Sequence, residues 1–141
     1  MRRFYNGGMG KNGGFARFDL PEAVLQALGM LTRAGFEAWL VGGCVRDHCL
    51  GRVPGDYDIA TSARPHEAQA AFSGYRTLET GLAHGTVTLL IAGRQLEVTT
   101  FRKDGAYSDH RRPDSVRFVD DLTEDLARRD FTCNAMAYHP A

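Results

Sequence analysis

Long apolar runs are missing from this chain: no stretch approaches the ~20 consecutive apolar residues a membrane-spanning helix needs, and residues 1–17 do not read as a secretory leader. Cysteine is scarce. Cys44, Cys49 and Cys133 are odd in number and nowhere spaced as CxxC, which points to a reducing, cytoplasmic compartment. Charge of either sign is not in excess, since 17 Lys and Arg balance 17 Asp and Glu. A protein that grips nucleic acid along a long surface usually carries a basic surplus. Any such contact is therefore expected at one end only, or through a region outside this chain. Internal repeats are absent too. What is present is a 141-residue sequence with 43% hydrophobic and 24% charged residues, the balance of one globular domain with a real core.

Residues 1–17, rich in Gly and Asn with scattered basic and aromatic side chains, read as a flexible tail or an RNA-touching arm, and 18–141 as the domain proper. Asp19 and Glu22, with Pro21 between them, predict a capped helix start. Val24, Leu25, Leu28 and Leu31 form its apolar stripe, and Gly35 closes it. Phe36–Val41 reads as a short strand, 43–50 as a short helix stopped by Gly51, and Asp56–Ala60 as a second strand. Pro65–Phe72 reads as a helix with proline near its start, and Tyr75–Glu79 as a strand. Gly85–Ile91 and Arg94–Phe101 alternate most clearly and should form a hairpin through Ala92-Gly93. Lys103–Ser115 is polar and reads as a mobile loop. A brief strand at Val116–Val119, a helix from the Asp121/Glu124 cap to about Arg129, and a segment 131–138 complete the pattern. These elements predict an α+β domain with a mixed sheet flanked by helices.

Asp56 and Asp58 are two carboxylates at i and i+2 of a predicted strand, which places them on one face. Two parallel carboxylates repel each other, and a hard divalent cation is their natural partner. Tyr57 and Ile59 face the other way, into the core. Upstream, Gly42-Gly43 at a strand end runs into a helix that carries Arg46, offering backbone N–H groups and a cation to a phosphate. A DxD pair alone is common in surface turns; with a phosphate element beside it, the pair suggests metal-assisted phosphoryl or nucleotidyl transfer. In Arg94–Phe101, period two puts Leu96, Val98 and Thr100 on one face and Gln95, Glu97, Thr99 and Phe101 on the other. Glu97 is either an edge charge that discourages aggregation or a third carboxylate beside Asp56 and Asp58. Arg128 and Arg129 either complement a helix dipole or present a guanidinium to a phosphate, with Asp130 and Asn134 placed to hydrogen-bond a sugar hydroxyl. Cys44, His48 and Cys49 lack a fourth ligand and read as packing residues. His84 reads as structural or as a nucleotide or RNA contact.

Taken together, these segments resemble one family. Val41-Gly42-Gly43-Cys44-Val45-Arg46-Asp47 with Gly55-Asp56-Tyr57-Asp58-Ile59-Ala60-Thr61 is similar to the first signature of class II tRNA nucleotidyltransferases (CCA-adding enzymes) and the related bacterial poly(A) polymerases. Leu126-Ala127-Arg128-Arg129-Asp130-Phe131-Thr132-Cys133-Asn134-Ala135-Met136-Ala137 is similar to their second. Glu97-Val98-Thr99-Thr100-Phe101-Arg102 matches the strand that carries their third carboxylate. The resemblance covers roughly residues 20–140.

The resemblance implies a polymerase-β-like nucleotidyltransferase head. Asp56 and Asp58 would hold two Mg²⁺ ions, with Glu97 completing the catalytic carboxylates. Gly42, Gly43 and Arg46 would grip the triphosphate of CTP or ATP, and Arg129, Asp130 and Asn134 the ribose and phosphates. The 3′ end of tRNA would be the acceptor, and Lys103–Ser115 the family's flexible loop, which takes part in switching to the terminal adenosine. Gly81-Leu82-Ala83-His84-Gly85-Thr86-Val87 looks like the CCA-adding branch. The alternatives are a poly(A) polymerase, a C-only or A-only relative, or a head that binds nucleotide without turnover. The family's base-reading and tRNA-holding parts lie beyond its second signature, so an isolated catalytic head of unknown oligomeric state is expected.

Overall fold

The computed structural model describes residues 4–6, 17–105, 116–129 and 134–140. Strand β1 (Phe4–Asn6) lies inside the stretch read as a tail and adds a parallel edge to the strand formed by Ala137–His139. Helix α1 (Glu22–Arg33) starts at Pro21 rather than at an Asp19 cap: the Pro21 carbonyl accepts from the amides of Val24 and Leu25 at 3.0 and 3.2 Å, and no side chain caps it. Its buried face is Ala23, Val24, Ala27, Leu28 and Leu31, while Leu25 faces outward. Gly35, at φ 93°, ends the helix in a Schellman turn, its amide donating to Thr32 and that of Phe36 to Leu31.

Strand β2 (Ala38–Val41), helix α2 (Gly43–Cys49), strand β3 (Asp58–Thr61) and helix α3 (Pro65–Ala71) follow. Strand β4 (Arg76–Gly81) leads through a 3₁₀ turn at Leu82–His84 into β5 (Thr86–Ile91) and β6 (Arg94–Thr100). Ala92 and Gly93, at φ 49° and 72°, make the tight hairpin expected of that pair. Strand β7 (Arg102–Asp104) pairs antiparallel with β8 (Val116–Phe118) as a separate two-stranded ribbon. Lys103 and Asp104 are thus strand residues rather than the start of the predicted loop; 106–115 lie outside the described residues. Helix α4 (Leu122–Ala127) begins at Asp121, whose carboxylate accepts from the Thr123 amide at 2.8 Å. Strand β9 (Ala137–His139) closes the order.

The main sheet has seven strands in the order β1-β9-β2-β3-β6-β5-β4. It is mixed, because β1–β9 and β3–β6 are parallel pairs and the others antiparallel. One face packs on α1 and α3 through Val24, Leu28, Leu31, Leu40, Ile59, Phe72, Leu89 and Leu96. The opposite face carries a smaller cluster in which Val41, Ala60, Phe101 and Ala137 meet Leu122 and Leu126 of α4. The architecture is the expected α+β one.

Candidate active site

One row across the second sheet face brings two of the expected site carboxylates together. Val41 pairs with Asp58, Asp58 with Glu97 on the parallel neighbour, and Glu97 with Thr88. Side chains in register on adjacent strands share a face, so Asp58 and Glu97 stand side by side where the sheet emerges from under the cluster beneath α4. Both are exposed, whereas Ile59 is buried on the helix side as alternation requires, and Tyr57, just before the strand, is buried with it. Phe101 shares the Glu97 face but is fully buried, since α4 covers that end.

Asp56 departs from the expectation. Strand β3 begins at Asp58, so Asp56 lies in the loop that precedes it and is not brought onto the face by strand alternation. Its charge still reaches Asp58. Though part of Asp58 meets solvent, the protein around its carboxyl displaces water, and this partial desolvation first and Glu97 next hold it above its ordinary pKa, with opposition from the Arg129 guanidinium and a further push from Asp56. Among the described residues no group of three or more His, Cys, Asp and Glu side chains is drawn together as a ready-made metal cage. Mg²⁺ is commonly held by one or two carboxylates, with water and substrate phosphates filling the other positions. Hard carboxylate oxygens under mutual repulsion therefore fit such a cation.

The glycine pair forms the turn between β2 and α2. Gly42 has φ 75° and ψ −138°, a conformation that only glycine adopts without strain. Its amide is not bare, because it donates to the Met136 carbonyl at 3.1 Å. Arg46, one turn into α2, donates from Nη1 to Asn134 Oδ1 at 3.0 Å and pairs with Asp47 at 3.2 Å. That contact ties together residues 88 apart in sequence, both read as nucleotide-binding. Arg129 completes the ring: a Cβ built on Gly42 would stand 3.6 Å from its Nη1. Burial lowers the Arg129 pKa and the neighbouring Asp125 raises it again. Asp130 lies outside the described residues.

Asp125 itself is not singled out by sequence pattern, nor is Asp104. Asp125 accepts from the Arg102 amide at 3.0 Å and pairs with Arg128 and Arg129 at 3.3 Å each. The signal was present as its i,i+3 and i,i+4 spacing to the two arginines, hidden behind the more obvious Asp121 cap. Cys44 is buried and its thiol donates to the Val41 carbonyl at 3.3 Å; His48 stacks on Phe18 at 4.6 Å. These are packing roles, as expected. His84 offers its carbonyl to Arg102 Nη1 at 2.8 Å. A cavity of about 540 Å³ opens between Leu20, His48, Tyr57 and Arg94, and no described residue of the predicted site lines it. No helix among the described residues is long and apolar enough to cross a membrane.

The model of the Poly A polymerase head domain matches residues 38–141. The chain belongs to that family. Among relatives of this head domain, the CCA-adding enzyme of Geobacillus thermodenitrificans is 58% identical over 115 residues, covering 79% of this chain and 28% of that protein. The CCA-adding enzyme of Lactobacillus delbrueckii subsp. bulgaricus is 52% identical over 121 residues, 84% of this chain and 30% of its own. The head domain thus spans under a third of the length of these curated relatives. Among solved structures, the Bacillus stearothermophilus CCA-adding enzyme in complex with CTP superposes with TM-score 0.74 at 45% identity, covering 84% of this chain and 27% of that one. A tRNA nucleotidyltransferase complexed with a primer tRNA and an incoming ATP analog gives TM-score 0.59 at 32% identity, with 79% and 30% covered.

Proposed function

We propose that this head domain transfers nucleotidyl groups from CTP and ATP to the 3′ end of tRNA, completing C-C-A. The observation that carries the reading is the placement of Asp58 in register with Glu97, with Arg129 acting electrostatically on Asp58 and standing against the Gly42 turn. Carboxylates on one side and guanidinium groups on the other suit a triphosphate whose α-phosphorus must be attacked while its remaining phosphates are gripped. The naming of the relatives, CCA-adding enzymes at 58% and 52% identity, supports tRNA as acceptor.

Asp58 and Asp56 are the residues that would hold Mg²⁺, with Glu97 completing the carboxylate set. Mg²⁺ bound there supplies charge neutralisation of the triphosphate and a more acidic 3′-hydroxyl. Arg46 and Arg129 bind the phosphates, Gly42 and Gly43 allow close approach of the turn, and Asn134 with Asp130 orients the ribose. The hydroxyl oxygen bonds to the α-phosphorus as the bond to the leaving pyrophosphate breaks. The few cysteines, none spaced as CxxC, support a reducing, cytoplasmic setting.

The description of the matched family keeps poly(A) synthesis as a second reading. Incubation with Mg²⁺, labelled CTP or ATP, and tRNAs ending before, within or after C-C-A separates the two. Growth that halts at C-C-A is expected. An open-ended A tail supports the second reading, addition of only C or only A marks a restricted relative, and Mg–nucleotide binding without incorporation leaves a binding head alone.

A further inference from the structure

Asp125 is a charged residue fully withdrawn from solvent, at 0% exposure. Its two oxygens serve different partners. Oδ1 accepts from the backbone amide of Arg102, at the start of β7, and from Arg128 Nε, at 3.0 and 3.3 Å. Oδ2 accepts from Arg129 Nη2 at 3.3 Å. Arg129 has no other hydrogen-bonded anchor among the described residues, and its Nε is buried without a partner. Its Nη1 faces the Gly42 turn, and its charge acts on Asp58. A guanidinium tethered through one nitrogen is restricted in where it can swing, and its Nη1 is then kept near the turn.

We infer that Asp125 is a positioning residue for triphosphate binding, acting through Oδ2 to hold Arg129 in the Gly42 turn with Nη1 directed to a phosphate oxygen. The inference rests on the nucleotide-binding reading of Arg129 given above. A purely structural Asp125 would instead only tie α4 to β7 through Oδ1. Asp125→Asn keeps the Oδ1 acceptor and removes the charge that faces Arg129.

The test is calorimetric titration of the 141-residue chain with Mg–CTP, for wild type, Asp125→Asn, Arg129→Ala and the double variant, alongside urea unfolding of each. Each single change should weaken Mg–CTP binding about tenfold, the scale of one displaced charge-assisted hydrogen bond. The double variant should bind no more weakly than Arg129→Ala alone, even though its unfolding midpoint falls further. An affinity loss that vanishes beside Arg129→Ala, while a stability loss persists there because Asp125 also holds the Arg102 amide and Arg128, is a signature that structural glue does not give. Should Asp125→Asn fail to fold, Asp125→Glu keeps the charge and displaces the carboxylate by one methylene, and its affinity loss should again vanish beside Arg129→Ala. Affinity losses that multiply, or an unchanged affinity in folded Asp125→Asn, overturn the inference alone. A wild-type chain that does not bind Mg–CTP saturably overturns the nucleotide reading and the inference with it.

Discussion

Replacing Gly42 with alanine separates backbone strain from crowding at the turn that opens α2. The φ of 75° and ψ of −138° at this residue lie far from the left-handed helical basin near ψ of about +30 to +60°, the one positive-φ region that residues with a Cβ tolerate. Space is not the obstacle, since the new Cβ would sit 3.6 Å from Arg129 Nη1 and 3.9 Å from the Asn134 carbonyl oxygen, ordinary contact distances. If the turn holds its shape, the cost is strain, about 1–3 kcal/mol. If it relaxes to negative φ, the Gly42 amide leaves the Met136 carbonyl, a loss of about 0.5–1.5 kcal/mol. The two routes bracket a similar figure. With a urea dependence of about 1–3 kcal/mol per molar, the unfolding midpoint should fall by about 1 M. The relaxed route also shifts the start of α2 and with it Arg46, so Mg–CTP affinity should fall alongside stability. Equilibrium urea unfolding and Mg–CTP titration of the same protein read both effects. An alanine variant with an unmoved midpoint and full affinity would refute the claim that this turn is held in a glycine-only conformation.

Asp58→Asn tests the carboxylate row. Because the Asp58 pKa is raised in the fold, by partial desolvation first and by Glu97 next, the folded state holds this proton more tightly than the unfolded chain. The group's contribution to stability is therefore fully present below its unfolded pKa and lost as pH rises through the raised value. Thermal melts without divalent cation should show wild type losing ground to Asp58→Asn as pH rises from about 4 toward neutral, and Mg²⁺ should raise the wild-type midpoint more than that of the variant. Wild type gaining on the variant over that interval would contradict the reading. Phe101→Ala, at a fully buried position beneath α4, should cost about 3–5 kcal/mol in urea unfolding; a loss below about 1 kcal/mol would mean that α4 does not pack on this face as described.

Much of this site was legible because local chemistry specified it. Gly42-Gly43 before Arg46 and alternation through Leu96, Glu97 and Val98 are short-range patterns, and the backbone followed them. Asp56 was misplaced on a strand for a physical reason: alternation assumes extended pairing, and pairing with β2 starts only at Val41↔Asp58. The cap at Asp19 failed because Pro21, which can serve as the residue before a helix, stands nearer its start. Lys103 and Asp104 looked like loop because they are polar, yet Asp104 pairs with Arg102 at 3.3 Å and its side chain is 7% exposed. Their partners lie in β8 and α4, distances along the chain that no window of composition reaches. The same holds for Arg46 and Asn134, each noticed separately but joined only by the fold.

The division of one sheet face accounts for why these polar residues sit where an extended core would have been simpler. Ala137, Val41, Asp58, Glu97 and Thr88 form a single row across five adjacent strands, apolar at one end and acidic at its middle. Two residues further along β3 and four along β6, Ala60 and Phe101 are sealed under α4. Apolar side chains at positions 58 and 97 would remove the repulsion that raises the Asp58 pKa. Stability alone thus gives no reason for a carboxylate pair in register. The proposed function gives one: a cation that arrives with its own phosphate ligands would turn the repulsion into binding energy only when the nucleotide is present. The arginines stand on the other side of the same row: Arg129 acts on Asp58 by its charge while its Nη2 is paired with Asp125 at 3.3 Å.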